Sequence, residues 1–466
     1  MDKKKLPQLR FLLILILAVS LLHPAVLQSQ AKGWAQADQI LARIQPPVFP
    51  AKDFDVTSFG AVADGKTDCT GAFAAAIAKC AAAGGGRVVV PAGNFASGPI
   101  HLKSNVNLHL LKGATILFST DPKKYLPLVY CRWEGVECMN YSPLIYAFEQ
   151  QNIAVTGDGV LDGQGSDDNW WSWKGNKSSS AGKPTQAEGR KKLMELGEKG
   201  VPVFERNFGE GFYLRPNFFE PYRCKNVLVQ GVTFKNSPMW FLNPVLCANV
   251  SVIDVKTIGQ GPNNDGCDPE SCTDVLIRGC YFDNGDDCIA IKSGRNNDGR
   301  RVNVPCENII VQKSTMKDGH GGVSIGSEIS GSVRNVFIED CTMDSPNLDR
   351  ALRIKTNAVR GGTVEQVYMR NVKVGQVAEA IIKVDFYYEE ADKGNFTPVV
   401  RDVMIEHVTC EKSQFGIWIR AFANSPAENI TIQNCTFNNV SKPDVLENVK
   451  NLSLINVKTT RTKESQ

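Results

Sequence analysis

Asp274-Val275-Leu276-Ile277, Asn308-Ile309-Ile310-Val311 and Asn335-Val336-Phe337-Ile338 are three copies of one phrase, an Asn or Asp followed by three apolar residues. The phrase recurs upstream at Asn226 and Asn249 and downstream at Gln366, Asp402, Asn429 and Asn451, with starts 23, 25, 34, 27, 31, 36, 27 and 22 residues apart. So short an apolar run suits a strand, and no helical period is sustained between the copies. Strand-rich units of this length cannot bury their apolar faces alone; they do so by stacking. The expected fold is therefore all-β, a right-handed parallel β-helix. In this solenoid each coil adds about 4.8 Å, Val, Ile and Leu pile into inward columns, and the leading Asn residues form a ladder. A propeller has repeats of similar size, but its antiparallel blades turn back at shorter spacing.

Upstream of the repeats, Asp53 to Phe59 is expected as a strand, followed by a turn at Asp64-Gly65. An alanine-rich helix follows over Thr70 to Ala83, ended by Gly84-Gly85-Gly86. Residues 121–217 interrupt the pattern with Trp170, Trp171, Trp173 and a Lys-rich stretch, and are expected as one long loop insertion walling a site. Residues 53–466 then form a single domain. Before it, Pro46, Pro47 and Pro50 mark residues 32–52 as a linker. Residues 1–31 carry Lys3, Lys4, Lys5 and Arg10 ahead of an apolar run from Phe11 to Leu22 and end in Ser29-Gln30-Ala31, the layout of a signal peptide. The run is shorter than the ~20 residues that span a bilayer, and no Cys precedes Cys69 to accept a lipid. A secreted or periplasmic protein without a membrane anchor is expected.

Cleavage would remove four basic residues and Asp2, so the 52 basic and 49 acidic residues fall to equality at 48 each. That balance excludes nucleic acid as the expected partner, and an acidic ligand would have to be held by particular side chains. Fourteen cysteines in an exported chain allow disulfides, with Cys131/Cys138 and Cys267/Cys272 near enough to pair. Others, such as Cys280, Cys341, Cys410 and Cys435, recur at similar places and suit a stacked interior. The five histidines are scattered, without zinc-ligand spacing. The triplet Asn176-Lys177-Ser178 fits a glycosylation sequence, which a bacterial-looking leader makes uninformative.

Polar motifs gather between Asn263 and Lys355 on successive repeats. Asn263-Asn264-Asp265 precedes a repeat strand and Gly285-Asp286-Asp287 follows it, about one coil apart. Carboxylates so placed suit glycosidic hydrolysis, one protonated to cap the leaving oxygen and one ionised to activate water, with crowding keeping one carboxyl protonated. Taken singly, these residues are ordinary turn formers, and a calcium site stays open on spacing alone. Gly319-His320-Gly321 follows, its glycines expected to leave room for a sugar. Arg353 and Lys355, two apart on a strand, share a face and can grip a uronate carboxylate. Lys292 and Arg295 are further candidate carboxylate binders, and Tyr387 or Tyr388 can offer a ring to the sugar.

The order Asn-x-Asp, Gly-Asp-Asp, Gly-His-Gly, Arg-Ile-Lys resembles the polygalacturonases, glycoside hydrolases of family twenty-eight. The opening Phe59-Gly60-Ala61-Val62-Ala63-Asp64-Gly65 is similar to the start of many pectin-active β-helices. The resemblance implies Asp286 as general acid, Asp265 and Asp287 as the pair that positions and deprotonates water, His320 as support for the acid, and Asn263, Arg353 and Lys355 as substrate binders. It also implies hydrolysis of α-1,4-galacturonosyl bonds in pectin or oligogalacturonate with inversion, by carboxyl groups roughly 6.5–9.5 Å apart, and with no metal or cofactor. Asn264 departs from the Thr of many relatives. The segment from Ile291 to Arg300 looks like the exo-acting branch. A monomer is expected. Rhamnogalacturonan or xylogalacturonan side chains as substrate, and a glycan-binding β-helix without catalysis, are the alternatives.

Overall fold

The computed structural model describes residues 33–175 and 180–462; the leader at residues 1–31 and the triplet at Asn176 lie outside them. The chain is a right-handed parallel β-helix. Among the described residues, one 13-stranded parallel sheet runs from Asp53–Asp55 to Val449–Ile455, and a second of 13 strands runs from Asp64–Asp68 to Lys458–Arg461. A third face begins with three strands, Ile100–His101, Ile145–Phe148 and Phe219–Tyr222, and ends with six, from Ile289–Ile291 to Val445–Glu447.

The repeated phrase forms the first sheet. Val227, Val250, Val275, Ile309, Val336, Val367, Val403, Ile430 and Leu452 pair in register as one column. The leading residues sit where the chain bends into that sheet, all left-handed, with φ between 55° and 61° from Asn226 to Asn451. Asn and Asp tolerate this conformation better than other side chains bearing a Cβ. Their amides also bond coil to coil: Asn226 donates to Asn152 and Asn249 to Asn226 at 2.8 Å, and Asn308 to Asp274 and Asn335 to Asn308 at 2.9 Å. The helix Thr70–Ala82 caps the N-terminal end of the solenoid with Phe73, Ala76, Ile77 and Cys80.

Two expectations need correction, and the sequence leaves the state of the cysteines open. Residues 121–217 are not one insertion, because Ile145–Phe148, Gln151–Gly157 and Val160–Asp162 form a complete coil within them. Asn152-Ile153-Ala154-Val155 is a further copy of the phrase, its Asn152 donating to Asn105 at 2.9 Å. Two excursions remain. One carries the antiparallel hairpin of Val129–Trp133 and Val136–Asn140; the other carries the 3-10 turn Trp170–Lys174 and the helix Ala187–Glu198. Residues 32–52 are likewise no linker. Residues 33–43 are helical, and Trp34, Ala37, Ile40 and Ile44 pack on Leu276, Ile310 and Phe337, on the outside of the first sheet. Their spacing of three and four residues is an amphipathic helix signal that the neighbouring prolines mask. Finally, all fourteen cysteines are free and buried; Cys131 and Cys138 face each other across the hairpin with sulfurs 3.8 Å apart.

Candidate active site

The third face is irregular at two coils. Only isolated bridges tie Phe219 to Leu242, Leu242 to Cys267, and Cys267 to Ile289. Pro244 and Pro269 stand there, and a proline has no N–H to give to a ladder. The second of these coils carries Asn263, Asn264 and Asp265. Asn264 is wholly buried and donates to the carbonyls of Ser237 and Met239 at 2.9 Å while accepting from Gly261 N–H at 3.1 Å. It clamps the loop that presents its neighbours. Asn263, at φ 56°, approaches Asp286 at 3.4 Å and accepts from Arg215 at 2.7 Å. Arg215 also bonds the carbonyls of Pro238 and Pro262.

Stacking brings together the residues that the motifs scatter. One oxygen from each of Asp265, Asp286 and Asp287 lies within 4.8 Å of the others. This is the nearest approach of single oxygens, not the carboxyl-to-carboxyl separation of ~6.5–9.5 Å that marks an inverting pair. His320 Nδ1 meets Asp286 Oδ1 at 2.9 Å. Lys355 donates to Asp287 Oδ2 at 2.7 Å, Ser324 to its Oδ1 at 2.7 Å, and Arg353 approaches at 3.4 Å. Tyr388 lies beside this pair, its ring centre 5.4 Å from the Arg353 guanidinium and 5.3 Å from Lys355. The glycines around His320 serve stacking rather than making room for a sugar. A Cβ on Gly319 would fall 2.6 Å from the Asp286 carbonyl, and one on Gly321 would fall 2.3 Å from Ser324 Oγ.

The three carboxyls differ in environment. Burial, reinforced by the charges of Asp268 and Asp286, pushes the Asp265 carboxyl well up. Burial acts on Asp287 in the same direction, but Lys355 and Arg353 outweigh it and hold that group far below the usual carboxylate range. Burial would also raise Asp286, yet the hydrogen bond from His320 holds it down, and the same bond raises His320. Burial more than crowding thus favours the protonated form of one carboxyl, and that carboxyl is Asp265 rather than Asp286. The Asp286–His320 bond favours the ionised carboxylate and the protonated imidazole. A hard cation could also use three carboxylates so close together; here Lys355 and Arg353 already take the Asp287 oxygens and would repel it.

Asp265, Asp286, His320, Arg353, Lys355 and Tyr388 line a cavity of ≈ 470 Å³, with Asp287 buried behind them. Lys292 and Arg295 are on its wall as expected, but protein carboxylates already engage their charges. Lys292 lies 3.3 Å from Glu328 and 3.6 Å from Asp268; Arg295 lies 3.2 Å from both Glu328 and Glu389. Tyr387 is not among the lining residues and packs instead on Phe422. Sequence reasoning missed Glu134, Lys174, Arg190 and Trp240, which the two excursions and the Pro244 coil bring to the cavity. Arg190 and Glu134 meet at 2.7 Å, a pair 56 residues apart with no motif to announce it. Asp268 and Glu328 were also missed. Asp268 had a signal, since it stands three residues after Asp265.

Comparisons with known proteins fit this geometry. The family model for glycosyl hydrolases family 28 matches residues 212–462, and one for rhamnogalacturonase A/epimerase, pectate lyase-like, matches residues 54–109. The crystal structure of a hyperthermoactive exopolygalacturonase from Thermotoga maritima is 43% identical, covers 91% of this chain and 95% of that one, and superposes with a TM-score of 0.88. A probable polygalacturonase of Vitis vinifera is 27% identical over 90% of this chain and 81% of its own length. The polygalacturonase of Erwinia carotovora, at 23% identity, covers 89% of this chain and 98% of that one with a TM-score of 0.67, and shares the fold. With the family model spanning more than half of its length, this chain belongs to glycosyl hydrolases family 28.

Proposed function

We propose that the chain is an exo-acting polygalacturonase, hydrolysing α-1,4-galacturonosyl bonds at the end of pectic chains. The observation that carries this reading is that Asp265 and Asp286 line one cavity with Arg353 and Lys355, with the third carboxylate, Asp287, buried against them. The cluster supplies acid and base, and the two cations sharing Asp287 keep positive charge available for a uronate. Glu134, Lys174 and Arg190, carried by the two excursions, wall this cavity on one side, which suits release of terminal units.

In the proposed mechanism Asp287, ionised and held by Lys355, takes a proton from water that Asp265 helps to position. The Asp286–His320 pair holds the proton destined for the glycosidic oxygen; it rests on the imidazole in the free protein and passes through Asp286. Inversion and independence of metal belong to this proposal. So do residues 53–466 as one catalytic domain, export through the leader at residues 1–31, a secreted or periplasmic location without a membrane anchor, and a monomeric state. No described helix is long and apolar enough to cross a membrane.

The test is incubation with oligogalacturonates in the presence of a chelator. Saturated galacturonate released from the chain end, first appearing as the inverted anomer by NMR, is the expected result. An unsaturated product, or activity lost on chelation, would point to a calcium-dependent lyase instead.

A further inference from the structure

Beyond the catalytic coils the third face continues as a floor. Ser324, Arg353, Lys383 and Trp418 form one column in register, while the alternating Ile354, Val384 and Ile419 turn into the core. Trp418 is half-buried, and the Arg420 and Glu447 side chains farther along are 35% and 48% exposed, so this end of the groove reaches solvent.

The charge balance reverses along the column. In the cavity two cations, Arg353 and Lys355, share the single carboxylate of Asp287. On the floor Lys383 faces two carboxylates, Glu379 at 2.6 Å and Asp385 at 3.8 Å. Arg350 is bound to the same Glu379 and to Asp349, and Arg420 to Glu447 at 3.0 Å. These three cations are committed to four carboxylates. A uronate lying here would meet fixed negative charge; the further cation Lys442 bonds the neutral Gln414 at 2.8 Å and lies 5.2 Å over the ring of Phe415, which flanks Trp418. The Trp418 ring, backed by Lys383 at 3.3 Å from its centre, can take the face of a sugar whatever the charge of that sugar.

We infer that this floor is a subsite for uncharged, methyl-esterified galacturonate, with Trp418 as its stacking platform. The inference rests on the exo-polygalacturonase reading. Trp418 stands two strands from Arg353, about 10 Å, or on the order of two sugar units further along the chain. The need for a free carboxylate therefore ends within a unit or two of the scissile bond.

The experiment compares two tetragalacturonates, with the two reducing-end units either free acids or methyl esters, by kcat/KM for release of the first galacturonate. Digalacturonate as free acid tests the underlying reading separately; no release from it defeats that reading, whatever the tetramers do. Given release, the esterified tetramer is expected to react at least as fast as the free acid, to within about twofold, and a larger preference for the free acid overturns the inference. Glu379→Gln, which releases Lys383, should move the ratio toward the free acid by about threefold; an unmoved ratio counts against the charge argument. Trp418→Ala should raise KM for the esterified tetramer about fivefold and leave digalacturonate unchanged. No rise, or an equal rise on both substrates, rejects Trp418 as the platform.

Discussion

The bend into the first sheet and the third face are built from the same coils, yet they obey different rules. At the bend nearly every coil places Asn or Asp in the left-handed region, with side chains bonded to those above and below. On the third face regular pairing fails at the coils of Pro244 and Pro269, and each coil contributes a different polar group. Repetition at one corner supplies the rigidity that the other face uses to hold unlike charges together. Substitutions at the bend should therefore change stability without touching turnover, and most of those on the third face should do the reverse.

The largest effect is expected at Asp286. Asp286→Asn should lower kcat by about 10²- to 10⁴-fold with little change in KM or melting temperature; retained turnover would remove the proton-delivery role. Lys292→Met breaks the division in an informative way, because this third-face residue holds Glu328 and Asp268 together in the interior. Leaving Asp268 without this cation and Glu328 to Arg295 alone should cost about 3–5 kcal/mol in denaturant unfolding. At the bend, Asn308→Ala loses hydrogen bonds to Asp274 and Asn335 and leaves φ 61° to a residue that tolerates the left-handed region less well than Asn, at a cost of about 2–4 kcal/mol with unchanged kcat. Asn308→Gly should cost less, and equal losses would discredit the conformational part of the argument.

The smallest expected effect concerns pH. His320 is raised above its ordinary 6.5 by Asp286, and Asp286 is lowered below its ordinary 3.8 against the pull of burial. The His320 contribution is fully present below 6.5 and fades as pH rises through the raised value. The Asp286 contribution is present above 3.8 and fades as pH falls through the lowered one. The pair is intact between those ordinary values and persists somewhat beyond each of them. The alkaline limb of kcat/KM should accordingly lie above pH 6.5 and disappear in His320→Asn; a limb that stays in place would free His320 from this role.

The same division explains what could be read from the chain. The column from Val227 to Leu452 was legible because strand, bend and burial all depend on residues adjacent in sequence. The acidic cluster was legible because Asp265, Asp286 and Asp287 lie one coil apart. The Arg190–Glu134 pair was not, since it joins two excursions whose packing no period governs. The docked segment at residues 33–43 escaped for a related reason, its apolar stripe being matched only by outward side chains more than two hundred residues away. Protonation was the hardest to foresee. Asp265 and Asp286 have the same side chain in similar motifs, and what separates them is burial beside Asp268 in one case and a bond from His320 in the other.

That docked segment has a consequence in time. Trp34 donates to Glu406 at 2.9 Å across 372 residues of chain, and its ring meets Phe337 and Tyr368 at steep angles, 59° and 62°. Contacts of such sequence separation form late, after the loops between them have closed. The first described stretch of the polypeptide to be synthesised is thus among the last to find its place, and its docking is complete only once the coil that carries Glu406 has been laid down.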